Sequence, residues 1–217
     1  MPDGGLNILG IIVVVTAIGL IPLAVVTMTG FLKISVVLFL IRNALGVQQT
    51  PPNLVLYGIA LVLTVYVTSP LMSQIYGEIS ARDINLETAE GIGEAADALR
   101  QPLKEHLTRF TKPGERQFFM AATNRVWPEA AREDLRDDDL VVLLPAFVAS
   151  ELTRAFEIGF LLYLPFLIID LVVANILMTL GMIMVSPILI SVPLKLFLFV
   201  AVDGWSRLMH GVILSYG

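Results

Sequence analysis

One compact block of charge, residues 77–139, interrupts a chain that is otherwise apolar along most of its length, and this interruption limits the possible folds more than any single motif does. The block holds 14 acidic and nine basic residues, the other positions hold five of each, and so the formal net charge of −5 lies wholly in the middle. Hydrophobic residues make up 56% of the 217 and mean hydropathy is +0.81, more apolar surface than a soluble core of this size hides. The expected fold is all-α: hydrophobic helical hairpins in a membrane with one small polar helical insertion. Residues 1–76 form N-terminal hydrophobic helices, 77–139 a polar extracytoplasmic helical domain, and 140–217 C-terminal helices ending in a hairpin. The chain has no cysteine, so disulfides and thiolate metal sites are excluded. The acidic balance argues against nucleic acid as a partner.

A spanning helix needs about 20 apolar residues, which 6–28 supplies. Residues 1–7 carry no Lys or Arg, unlike a cleaved leader. The run 31–45 is shorter, holds Lys33 and Arg42, and ends at Gly46, which suits a helix C-terminus. Residues 48–53 read as a turn, with Asn53 able to cap a second full-length run, 54–76. Runs at 159–185 and 188–202, broken by Ser186-Pro187, read as a tight hairpin. Within the polar block, Ile92, Ala96, Leu99, Leu103, Leu107 and Phe110 recur at helical spacing, and Pro102 is expected to kink that helix or end it at Gln101. A second short helix covers 117–126 and stops before Trp127-Pro128. Lys33 and Arg42 put the first connection in the cytoplasm by the positive-inside rule, so the polar domain lies outside.

Ionisable groups at membrane depth are costly, which makes them functional candidates. Glu151, Arg154 and Glu157 recur three residues apart and form a ladder on one helix; a juxtamembrane helix with a solvated charged face is the plainer reading. At ~100° per residue, Lys195, Asp203, Ser206, Arg207 and His210 share roughly 120° of one last helix, a polar stripe through an apolar body. Asp170 stands alone among aliphatic residues. With a turn near Ser186-Pro187, Arg207 comes within about 6 Å of axial rise of Asp170, closer than Lys195 does. Met182-Ile183-Met184 put flexible thioethers at the hairpin tip, suited either to helix packing or to an irregular partner. No phosphate loop, H-E-x-x-H or G-x-S-x-G string occurs, and the two histidines, His106 and His210, are far apart. Neither enzymatic activity nor a cofactor or metal is expected.

Four strings in order, RNALGVQQTPPN (42–53), LPAFVASELTRAFEIGF (144–160), MVSP (184–187) and DGW (203–205), resemble the SctR/FliP family of export-gate proteins of bacterial type III secretion systems. The match runs from about Lys33 to the C-terminus and looks closer to the injectisome-type SctR than to flagellar FliP. The resemblance implies a structural, pore-forming subunit that passes unfolded secreted proteins across the bacterial inner membrane. It implies a homopentamer, a helical or ring-like membrane-associated complex with SctS-like and SctT-like small membrane proteins beside SctU-like and SctV-like components and membrane lipid. It also implies a periplasmic polar domain, a pore gasket at Met182, Ile183 and Met184, and subunit contacts or buried charges at Glu151, Arg154, Glu157, Asp170, Lys195, Asp203 and Arg207. In such an assembly hydrophobic helices need not all span conventionally. A rival reading is a small-solute or ion secondary transporter with Asp170, Lys195 and Asp203 as its relay, against which the short chain and the absence of a repeated half argue.

Overall fold

A computed structural model describes residues 8–82 and 89–217. Residues 1–7, on which the reading of a leader and of the first helix's start rests, lie outside the described residues, as do 83–88 of the polar block and the side chain of Ile92. All regular structure among the described residues is helical: α1 (Ile8–Met28), α2 (Phe31–Ala44), α3 (Asn53–Ala81), α4 (Ala89–Phe110), α5 (Pro113–Val126), a short 3-10 turn (Glu129–Ala131), α6 (Leu140–Thr179), α7 (Ile188–Ala201) and α8 (Gly204–Leu214).

Helix ends follow local chemistry. Past the end of α2, Gly46 adopts φ +74°, and a Cβ there would also lie 2.8 Å from Val192 Cγ2, so glycine is required on two counts. Asn53 opens α3, and its side-chain oxygen accepts a 2.6 Å bond from Arg42. Charge does not end α3 at residue 76: it continues to Ala81, where Glu78 and Arg82 pair one turn apart at 3.2 Å. Proline at its first turn starts α5 four residues before the expected Gln117, and Trp127, extended at φ −108° and ψ 147°, ends it before Pro128.

Three sequence expectations change. Pro102 does not end α4 at Gln101, for the helix continues to Phe110 and Pro102 is itself buried. The missing N–H costs one helical bond, whereas Leu103 and Leu107 beyond it enter a core. The run 159–185 is not a helix of its own: α6 already begins at Leu140 and stops at Thr179, so the connection occupies 180–187, with Gly181 at φ +73°. The last apolar segment is broken as well. Asp203 takes a left-handed φ of +53°, and α7 and α8 meet at 66°.

The chain divides into two compact units, Met1–Gly30 with Thr68–Ser150, and Phe31–Val67 with Glu151–Gly217. In the first unit, Leu107, Leu143 and Phe147 are fully buried, with Met28, Leu103, Phe110, Leu140, Leu144 and Val148 packed around them. Ser150 accepts the Lys112 backbone N–H at 2.8 Å and donates to the Ala146 carbonyl. Lys104 bridges Asp138 at 3.4 Å and Asp139 at 3.0 Å, just ahead of α6. In the second unit, Ile34, Val37, Leu38 and Ile41 form one buried stripe on α2 at the 3, 4, 7 spacing of a helix face. Gly159 lies directly under Leu40, where any Cβ would clash with its side chain.

Two helices, α3 and α6, are long and apolar enough to cross a membrane, and two broken pairs, α1 with α2 and α7 with α8, pass when each is counted as one span; only Gly19–Met28 of α1 enters that count. At 1.5 Å per residue the 40 residues of α6 extend about 60 Å, twice the ~30 Å hydrocarbon thickness, so part of α6 lies beyond it. The chain is an all-α, multi-pass membrane protein with hairpin-like helix pairs.

Candidate functional site

Charges in the second unit occur at the contacts between helices. Lys33 on α2 and Glu151 on α6 have fully buried side chains, with Nζ 3.6 Å from Oε1. The Tyr216 hydroxyl donates to Glu151 Oε2 at 2.7 Å, and Lys33 Nζ sits over the Tyr216 ring, 3.3 Å from its centroid. Arg154, one turn along α6, reaches Glu151 Oε1 at 3.3 Å. The Lys33 ammonium has no hydrogen-bond acceptor among the described residues; the carboxylate charge and the aromatic face hold it. One carboxylate thereby ties α2, α6 and the C-terminal residues together. The ladder is therefore not a solvated face throughout: Glu151 is sealed inside, Arg154 is half-buried, and Glu157 is exposed. A three-residue spacing carries each side chain ~60° around the helix, far enough for the first to point inward and the third outward.

A second junction lies nearer the hairpin. Lys195 on α7 is buried and donates to Asp170 Oδ2 on α6 at 2.6 Å and to the Ala44 carbonyl at 3.0 Å. Ala44 ends α2, where carbonyls lack helical partners, and the lysine supplies one. Arg207 is not the partner of Asp170. Asp170 lies nine residues before Thr179 and Lys195 seven after Ile188, so across the connection they differ by two residues, ~3 Å of rise. Placing the turn at Ser186-Pro187 shifts that register toward Arg207. The corner before α8 also ends the common stripe: Asp203, Ser206, Arg207 and His210 are exposed, while Lys195 faces the α6 junction.

That corner explains the DGW string. Asp203 makes the left-handed turn, and a Cβ at Gly204 would clash with the Phe199 ring. Trp205 meets the same ring edge-on, centroids 5.3 Å apart. At the other end of α7, Met182, Ile183 and Met184 lie in the connection with 42%, 84% and 101% of their surfaces exposed. Among the described residues nothing packs over Met184. Among the described residues no group of three or more His, Asp or Glu is placed to hold a metal.

Sequence reasoning did not select Lys33 or Tyr216 as site residues. Lys33 carries a usable signal, a charge inside an apolar run like that of Asp170, although a basic residue near a span equally reads as an orientation signal. Tyr216, one position before the last residue, carries none.

Comparison with known proteins identifies the family. The chain matches the FliP family model over residues 14–212 and belongs to that family. It is 56% identical over 209 residues to the probable translocation protein y4yL of Sinorhizobium fredii, covering 96% of this chain and 94% of that one. It is 46% identical over 209 residues to the Yop proteins translocation protein R of Yersinia pestis, covering 96% of each. Identity to the hypersensitivity response secretion protein HrcR of Ralstonia nicotianae is 47% over 209 residues, covering 95% of this chain and 96% of that protein.

Proposed function

We propose that the connection between α6 and α7 is the closing element of a protein-conducting gate, formed by several copies of this chain whose hairpin tips converge on one passage. As a FliP-family protein, the chain is a structural component of the export-gate apparatus of type III secretion and serves protein translocation across the inner membrane. Its part is structural, with transport driven by other components. The finer reading rests on one observation: Met182, Ile183 and Met184 stand exposed at the end of a hairpin whose base is fixed by buried charge. A closed gate must stop ions, and an open one must fit many side chains. Thioethers change rotamer at little cost and meet both demands, with the β-branched Ile183 a stiffer middle element.

In this reading the assembly is a ring, five copies by the family resemblance, with SctS-like and SctT-like partners wound against it and SctU-like and SctV-like components beside it. Its polar block faces the periplasm. Purified complexes in which Met182, Ile183 and Met184 are all alanine test the gate assignment by ion conductance in planar bilayers. Complexes of normal composition should leak at least tenfold above the parent, and parental conductance from the triple variant would remove the assignment.

A further inference from the structure

The corner between α7 and α8 holds an apolar cavity with charge at its rim. The cavity, about 390 Å³, is walled by Ile41, Leu162, Phe166, Phe199, Leu208 and Val212, from α2, α6, α7 and α8. Among its lining residues only Arg207 and Ser215 have polar side chains, and the Ser215 hydroxyl already donates to the Val212 carbonyl at 2.6 Å. Arg207 is exposed and forms no ion pair among the described residues. Asp203, one turn earlier and also exposed, gives Arg207 only its backbone carbonyl, at 3.1 Å from the Arg207 N–H nitrogen, and its carboxylate makes no capping bond. A cation and an anion thus stand about 6 Å apart in axial rise without neutralising each other. They stand where α7 and α8, apolar enough for a membrane only as a pair, meet at 66°. Ions in such a segment need polar partners.

We propose that this corner binds one phospholipid with an amine headgroup, of the phosphatidylethanolamine type. One acyl chain enters the cavity, whose size is that of a small-molecule site and whose walls favour every methylene removed from water. The Arg207 guanidinium takes the phosphate by charge-assisted hydrogen bonds, and the Asp203 carboxylate takes the ammonium. Phosphate and ammonium in that headgroup are joined by an oxygen and two carbons, a span that suits charges one helical turn apart. A phosphatidylglycerol-type lipid satisfies Arg207 but leaves Asp203 without a counter-charge, and free phosphate leaves the cavity unfilled. A protein segment would have to present an anion and a cation at this spacing above an apolar plug, demands that one lipid meets together. The site is complete within one copy of the chain and so does not depend on the ring reading above.

The test uses the whole complex, stripped of lipid in mild detergent and offered dioleoyl phosphatidylethanolamine or dioleoyl phosphatidylglycerol before native mass spectrometry. The ethanolamine lipid should bind at one per copy of this chain, at least tenfold more tightly than the glycerol lipid. Arg207→Gln should weaken both at least tenfold. Asp203→Asn, which keeps a residue that tolerates the left-handed φ, should remove the preference while the glycerol lipid still binds. Gly211→Leu fills the cavity from a position where a Cβ meets nothing within 4 Å, and should lose the same one lipid per copy at unchanged protein mass. Free phosphoethanolamine should not displace the lipid. Equal binding of the two lipids, a parental lipid count in intact Arg207→Gln complexes, or displacement by phosphoethanolamine would each overturn the site. A photo-reactive side chain at position 211 that captures another subunit instead of lipid would also overturn it and give the cavity to a protein partner.

Discussion

The polar block and the apolar body both carry ion pairs, but the two sets are built for different surroundings. Around the block, Arg116 and Asp137 at 3.3 Å, Arg136 and Asp138 at 3.3 Å, and Lys104 with its two aspartates all keep one or both partners substantially exposed. Water screens such pairs, and each is worth about 0–1 kcal/mol. In the body, Lys33 and Glu151 are wholly enclosed, and Lys195 is 5% exposed against Asp170 at 38%. Enclosed charges gain little as a pair over an apolar substitute, yet removing one strands the other. The abundant charges of the block therefore mark a solvated surface, whereas the sparse ones of the body fix which helices meet and at what register.

The largest effect should come from Glu151→Leu, which strands Lys33 and deprives Tyr216 of its acceptor. The expected loss is about 3–5 kcal/mol, read as thermal unfolding of the detergent-solubilised chain. Adding Lys33→Met should recover most of it, and a double variant no better than the single would break the contrast between regions. Lys195→Met comes next, at about 1.5–3 kcal/mol for hydrogen bonds to a charged group, whereas Arg207→Met should leave unfolding of the isolated chain within about 0.5 kcal/mol. Equal losses from the two would return Asp170 to Arg207.

In the block, Lys104→Ala should cost about 0.5–1 kcal/mol, and salt should erase the difference there while leaving Glu151→Leu unchanged. The smallest effects are those of pH. Burial, with Arg109 nearby, lowers the His106 pKa below its usual 6.5. The unfolded chain then binds more protons just below pH 6.5, so this contribution is full above 6.5 and lost as pH falls through the folded value. His106→Gln should flatten the unfolding profile between pH 7 and 5. The Arg136 backbone N–H and the Lys104 ammonium lower the Asp139 carboxyl below 3.8. Its contribution is present above pH 3.8 and lost on further acidification, so Asp139→Asn should remove a step seen only there.

Much of this architecture was legible in the sequence because apolar runs and their breakers are local signals. Gly46 and Pro128 mark helix ends where their backbone chemistry requires, whereas Pro113 opens α5 four residues before the expected Gln117. Register was not legible. Pairing Asp170 with Arg207 depended on where the hairpin turns, and a shift from residues 186–187 to the connection 180–187 changes the partner to Lys195. The corner at Asp203 was hidden for a related reason: DGW reads as helix-compatible until the Phe199 ring, five residues before Gly204 and folded back against it, is known to occupy the space a side chain would need. Burial was the least accessible. Nothing local distinguishes Glu151, sealed by Lys33 and Tyr216, from Glu157 two turns later, because the difference is made by residues 118 positions before Glu151 and 65 after it.

The two ends of the α6–α7 hairpin extend the contrast into function, with charge fixing the base and, among the described residues, nothing packed over Met184 at the tip. The most direct measurement is to record thermal stability and ion conductance on the same purified complexes with Met182, Ile183 and Met184 changed together to alanine. A passage-sealing tip gives unchanged unfolding with at least a tenfold rise in leak. A tip that only packs against other helices gives the reverse, lowered stability by a few kcal/mol as for emptied core sites and parental conductance in the complexes that survive.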